Sequence, residues 1–105
     1  MAIYDRAAYT ASKGAVAALT RAMAVDHADA NIRVNCIAPG LVKTDFARAI
    51  WENPDRHDYR KEKTPLRRLG EPRNIAGIAV YMAPEAGAWT TGQTVVIDGG
   101  VTAVG

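Results

Sequence analysis

Apolar and polar positions divide the chain into stretches of different period. From about Ala7 to Ala28 alanine dominates, joined by Leu19, Met23 and Val25 with no proline, which predicts one long helix. Ala7, Ala11, Ala15, Ala18 and Ala22 recur at spacings of three and four, giving a helix surface low enough for another backbone to approach. Asn31 marks the turn out. In "IRVNCIAPG" the residues Ile32, Val34, Cys36 and Ala38 alternate with Arg33, Asn35 and Ile37 before a Pro-Gly stop, the period of a strand.

Between Val42 and Arg68 the pattern turns polar. Asp45 is placed to cap a short helix through Trp51, Pro54 to open another, and charges crowd from Asp55 to Lys63. A polar insert after the carboxyl end of a strand, here 43–68, occupies the place where open α/β sheets bind ligands, so it reads as a lid. Regular structure resumes at Pro72, where Ile75, Ile78, Ala79 and Met82 form one apolar helix face that Pro84 limits. "GQTVVIDGG" then gives a glycine-bounded strand whose consecutive Val95, Val96 and Ile97 suit burial on both faces. Helix, strand, helix, strand in this order is the rhythm of an α/β protein with parallel strands.

Composition narrows the class. At 105 residues the chain has room for one domain, and 49% hydrophobic with 23% charged residues is ordinary for a globular protein. The formal net charge is +2 with both signs mixed, so no general field draws it to nucleic acid or membrane. No apolar run reaches spanning length, and the single cysteine, Cys36, reads as a small core residue in a cytoplasmic protein without disulfides. His27 and His57 lack the neighbours of a metal site, so no metal is expected. Arg60, Lys61, Lys63, Arg67 and Arg68 beside Tyr59 read as a solvated lid surface in preference to a nucleic-acid patch. Trp51 and Trp89 read as packing anchors, Trp51 toward the substrate side.

The candidate chemistry is Tyr9 and Lys13, four apart on the first helix and so on one face. A phenol alone is a poor acid or base near neutrality, whereas an ammonium beside it favours the phenolate. By spacing alone, Y-x-x-x-K also suits any surface helix.

Four segments in order, "YTASKGAVAALTRAMAVD", "IRVNCIAPGLVKTDF", "LRRLGEPRNIAGIAVYMA" and "TTGQTVVIDGG", closely resemble the C-terminal portion of short-chain dehydrogenases/reductases, and the likeness covers nearly the whole chain. The resemblance implies part of a doubly wound Rossmann-like sheet. It also implies an NAD- or NADP-dependent oxidoreductase that reduces a small carbonyl or oxidises an alcohol. Carried over by position, Tyr9 is the acid/base, and Lys13 assists it while holding the nicotinamide ribose. Pro39, Gly40 and Thr44 match the family's P-G-x-x-x-T, which folds over the nicotinamide end, with the backbone of Val42 offered to the carboxamide. The stretch 43–68 matches the variable lid, and Asp98 in "IDGG" is structural.

By the same resemblance, the family's catalytic serine lies about a dozen residues before the tyrosine, where this sequence has only eight. Ser12, its one serine, matches the ordinary serine of Y-x-x-S-K. The glycine-rich dinucleotide turn would also precede everything here, so weak cofactor binding is expected. Two assigned strands make a marginal sheet. The expectation is a homo-oligomer, or docking of a missing N-terminal half, and the competing reading is a non-catalytic interaction module derived from the family.

Overall fold

The computed structural model describes residues 6–104. Helix α1 runs Arg6–His27, and a single 3-10 turn follows over Ala28–Ala30. Asn31 ends it in the left-handed region at φ 58°, its N–H bonded to the Ala28 carbonyl at 2.9 Å, a conformation that asparagine tolerates better than most residues. Strand β1 spans Cys36–Pro39 and helix α2 Arg48–Trp51. Helix α3 is Pro54–Lys63, helix α4 Pro72–Tyr81 and strand β2 Thr94–Ile97.

β1 and β2 pair into a two-stranded sheet. Cys36 N–H bonds the Gln93 carbonyl and Gly40 N–H the Ile97 carbonyl, both at 2.8 Å, so the offset is the same at each end and the strands are parallel. β1 starts later than the alternation from Ile32 predicts: before it the backbones share one bond, Gly92 N–H to the Val34 carbonyl at 2.7 Å, and side chains supply the rest. Val34 N–H donates to Thr91 Oγ1 at 3.1 Å, Asn35 Nδ2 to the Thr90 carbonyl at 2.9 Å, and Gln93 N–H to Asn35 Oδ1 at 3.1 Å. β2 departs from its expected two-sided cover: Val95 and Ile97 are partly covered, while Thr94 and Val96 are exposed.

The chain divides into two compact units. The first takes in α1 through Cys36 together with Gly87–Val95, and the second Ile37–Ala86 with the segment from Val96 on. In the first, α1 lies close over Gly92, where an added Cβ would stand 3.4 Å from that of Ala24. In the second, Gly40 is pressed against Asp98, leaving no room for a side chain: a Cβ would fall 2.8 Å from Asp98 Cβ and 2.9 Å from its Cα.

Among the described residues the buried ones are Thr20, Ala24, Thr64, Leu69 and Gly87. The two threonines back-bond to the preceding helical turn, Thr20 to the Val16 carbonyl at 2.8 Å and Thr64 to that of Arg60 at 2.7 Å, so neither hydroxyl is left unpaired. Val16, Leu19 and Met23, at spacings of three and four on α1, stay substantially exposed. Trp89, expected as a packing anchor, is 99% exposed. No helix among the described residues is long and apolar enough to cross a membrane.

Candidate functional site

Tyr9 and Lys13 both fall within α1, in the first unit. The side chain of Tyr9 lies outside what the structure describes, so the pair is placed by helix register. Steps of four, seven and four residues carry one face from position 9 through 13 and 20 to 24. That line ends on Thr20 and Ala24, the buried face of α1, at 6% and 4% exposure. Register thus lines position 13 up with Thr20 and Ala24, but only the C-terminal half of that line is covered, Val16 beside it being 47% exposed. Lys13 itself is exposed.

The second unit holds Pro39, Gly40, Val42 and Thr44. After β1 ends at the exposed Pro39, an isolated parallel bridge joins Val42 to Gly70. Its two bonds come from the flanking residues: Gly70 N–H donates to the Leu41 carbonyl and Lys43 N–H to the Gly70 carbonyl, each at 2.9 Å. In that pattern the peptide groups of Val42 turn to the other side. Its carbonyl accepts Thr44 N–H at 2.8 Å, while its N–H is directed away from Gly70. A Lys43–Glu71 ion pair at 3.7 Å lies next to the bridge.

Thr44 is exposed and starts the turn into α2. Ala47 N–H donates to its carbonyl at 3.1 Å and to its Oγ1 at 3.3 Å. A hydroxyl that accepts in this way keeps its proton to donate elsewhere. The expected Asp45 cap does not form: the N-cap of α2 is Ala47, and the Asp45 carboxylate is drawn instead to the Arg48 guanidinium, a stronger charge-assisted partner. Asn53 Oδ1 caps α3, accepting from the N–H groups of Asp55 at 3.1 Å and Arg56 at 3.2 Å, with Pro54 in the first turn as expected.

Asp98, against which Gly40 is pressed, holds the turn that follows β2. Its Oδ1 accepts Gly100 N–H at 2.9 Å and its Oδ2 Thr102 N–H at 3.0 Å. Desolvation alone would push its carboxyl up; bonds from Thr102, Gly100 and Val101 outweigh that and hold it below the usual aspartate value. Gly99 and Gly100, at φ 65° and 98°, make the turn that presents these donors, a region glycine enters without strain.

Sequence reasoning missed two contributors. Gly70 anchors the base of the insert through the bridge, and its only signal is a lone glycine before the α4 cap. Trp51 donates its indole N–H to the Thr44 carbonyl at 2.7 Å, and nothing in the residue pattern announces that bond. Among the described residues no group of His, Cys, Asp and Glu could hold a metal ion.

Comparisons with known proteins bear on this arrangement. Residues 1–102 match the profile of a family described as enoyl-(acyl carrier protein) reductase. A human protein named dehydrogenase/reductase SDR family member 4 is 46% identical over 92 residues, covering 88% of this chain and 33% of that protein. The chain thus spans about a third of the length of the curated relatives it matches. Among solved structures, 4-hydroxyisoleucine dehydrogenase complexed with NADH superposes with a TM-score of 0.88 at 38% identity, covering 98% of this chain and 42% of the other. A gluconate 5-dehydrogenase from Burkholderia cenocepacia, in complex with NADP and tartrate, gives 0.83 at 37% identity, covering 90% and 37%. With the Y-x-x-x-K register on α1, the Pro39–Thr44 turn after a parallel strand and these matches along nearly its whole length, the chain belongs to the short-chain dehydrogenase/reductase family.

Proposed function

We propose that the chain carries the proton-transfer residues and the nicotinamide-side loop of an NAD(P)-dependent oxidoreductase acting on a small carbonyl or alcohol. The observation that carries this reading is that Tyr9 and Lys13 stand four residues apart on the one helix α1. The donors of the second unit fit a nicotinamide cofactor: the Thr44 hydroxyl keeps its proton to give, and Val42 N–H is directed away from Gly70. Structures of relatives that hold NADH or NADP support that fit.

When bound, the cofactor would supply or accept the hydride. The chain's own residues do the rest. In carbonyl reduction, Tyr9 gives its phenolic proton to the oxygen that becomes the alcohol; in oxidation, its phenolate takes that proton back. Lys13 lowers the cost of the phenolate and holds the ribose, while Pro39, Gly40, Val42 and Thr44 hold the nicotinamide end. NAD and NADP remain equal alternatives, since no residue of this chain is assigned to read the 2′ position.

A second copy of the chain is the proposed partner. The exposed Val16, Leu19 and Met23 and the single-paired strands β1 and β2 favour association over a monomer. Gel filtration at micromolar concentration is expected to give a dimer or larger, and a well-folded monomer would count against it. The same surfaces favour the second reading, an interaction module without turnover.

The experiment that separates the two titrates NADH and NADPH against tryptophan fluorescence, then measures turnover with Tyr9→Phe. Saturable binding, with turnover falling at least about 100-fold in the variant, is expected. Silence at millimolar cofactor, or full turnover by Tyr9→Phe, would overturn the enzymatic reading.

A further inference from the structure

Helix α2 is four residues long, too short to hold itself, and a ring of side chains fixes it instead. The Arg48 guanidinium binds Asp45 on one side and Glu52 on the other, the latter at 3.0 Å. It also lies over the Trp51 indole, 5.3 Å from the ring centroid, within cation–π range. The hydrogen bond to Asp45, then the charge and hydrogen bond of Glu52, hold the guanidinium firmly protonated against a small opposing desolvation. Clamped in this way, the indole directs its N–H to the Thr44 carbonyl, at 2.7 Å among the shorter bonds in the unit. That carbonyl also accepts from Ala47 N–H, so two donors fix the peptide plane that follows Thr44. The bond spans seven residues and ties the first lid helix back to the end of the Pro39–Thr44 turn.

We propose that Trp51 is a positioning residue for Thr44: its indole N–H, steadied by Arg48, sets the orientation in which Thr44 meets the cofactor. The inference rests on the reading above that Thr44 contacts the nicotinamide end. Its mechanism is pre-organisation, because a loop already held in its bound geometry loses less freedom when the ligand arrives. Lid and cofactor turn are then coupled, and a change at α2 is felt at Thr44 without any contact between α2 and the ligand.

The test follows the backbone amide resonances of Val42, Thr44 and Ala47 in isotope-labelled protein while NADH and NADPH are added separately. Trp51→Phe keeps a ring for Arg48 to lie over and removes only the donor. In the free protein this variant is expected to shift the Thr44 and Ala47 resonances. With cofactor, it is expected to require about three- to tenfold more ligand for the same Thr44 displacement. Equal titration curves for wild type and Trp51→Phe would overturn the positioning role and leave the cofactor reading intact. Resonances of Val42 and Thr44 that ignore both cofactors in the wild type would overturn the cofactor reading at this loop, and the proposal with it. Should Trp51→Phe lose its helical circular dichroism, Arg48→Met takes its place. It leaves the indole N–H present but unclamped, and about twofold weaker binding is expected; an unchanged curve overturns the proposal.

Discussion

Along α1 the residues assigned to chemistry are set by helical register, whereas along 39–71 they are set by bonds and close approaches between residues distant in sequence. α1 needs only to remain a helix for positions 9 and 13 to stay in line. The turn after β1 depends on Asp98 against Gly40, Gly70 against Leu41 and Lys43, and Trp51 against Thr44. The contrast predicts that substitutions of one chemical kind will have opposite consequences in the two regions.

The sharpest way to break it is a methyl group. Gly40→Ala puts a Cβ within 3 Å of two Asp98 atoms, one of them backbone, and is expected to cost about 3 kcal/mol or prevent folding, read by urea unfolding. Unchanged stability would mean that the close approach does not organise the turn.

Removing a carboxylate is the next test. Asp98→Ala leaves Gly100 and Thr102 without their acceptor and should cost about 1–2 kcal/mol. Asp98 also gives the second unit an acid dependence. Its folded carboxyl titrates below the unfolded value, so its contribution is complete above the usual aspartate range and fades as pH falls through the lowered folded value. Asp98→Asn should flatten that acid limb, and an unaltered limb would locate the dependence elsewhere.

On α1 the methyl test should change sign. A Cβ at Gly14 meets nothing within 4 Å, so Gly14→Ala should stabilise the protein by about 1 kcal/mol in thermal melts. The smallest effect belongs to Leu19→Gln, at 57% exposure. Stability should stay within about 0.5 kcal/mol, while any self-association measured by gel filtration weakens. A large loss of stability there would give α1 a packing role that its exposure does not indicate.

Periodic patterns explain which parts of this fold could be read in advance. α1, α3, α4 and β2 announce themselves through alanine content, Pro54, Pro72 and a valine run, because local propensity and long-range structure agree there. The beginning of β1 is hard to read because alternation at Ile32 and Val34 looks the same in a full ladder and where one backbone bond is joined by Thr91 and Asn35 side chains. Asp45 looked like a cap because cap preference is a local rule, and a nearby guanidinium overrides it. Tyr9 and Lys13 stand out through spacing and motif together, and the structure adds that both lie on α1. The supports of Thr44 were not, since bonds from Trp51 and Gly70 depend on how the chain returns, which no window of sequence contains.

The Val42–Gly70 bridge has one last consequence. Two hydrogen bonds, with one ion pair beside them, shut the mouth of everything from 43 to 69. Closing a flexible segment costs free energy only as the logarithm of its length, so a longer or shorter excursion could be spliced in at small thermodynamic expense while the mouth is kept. The length and composition of 43–69 can thus change while the strand ends that the bridge joins stay as they are.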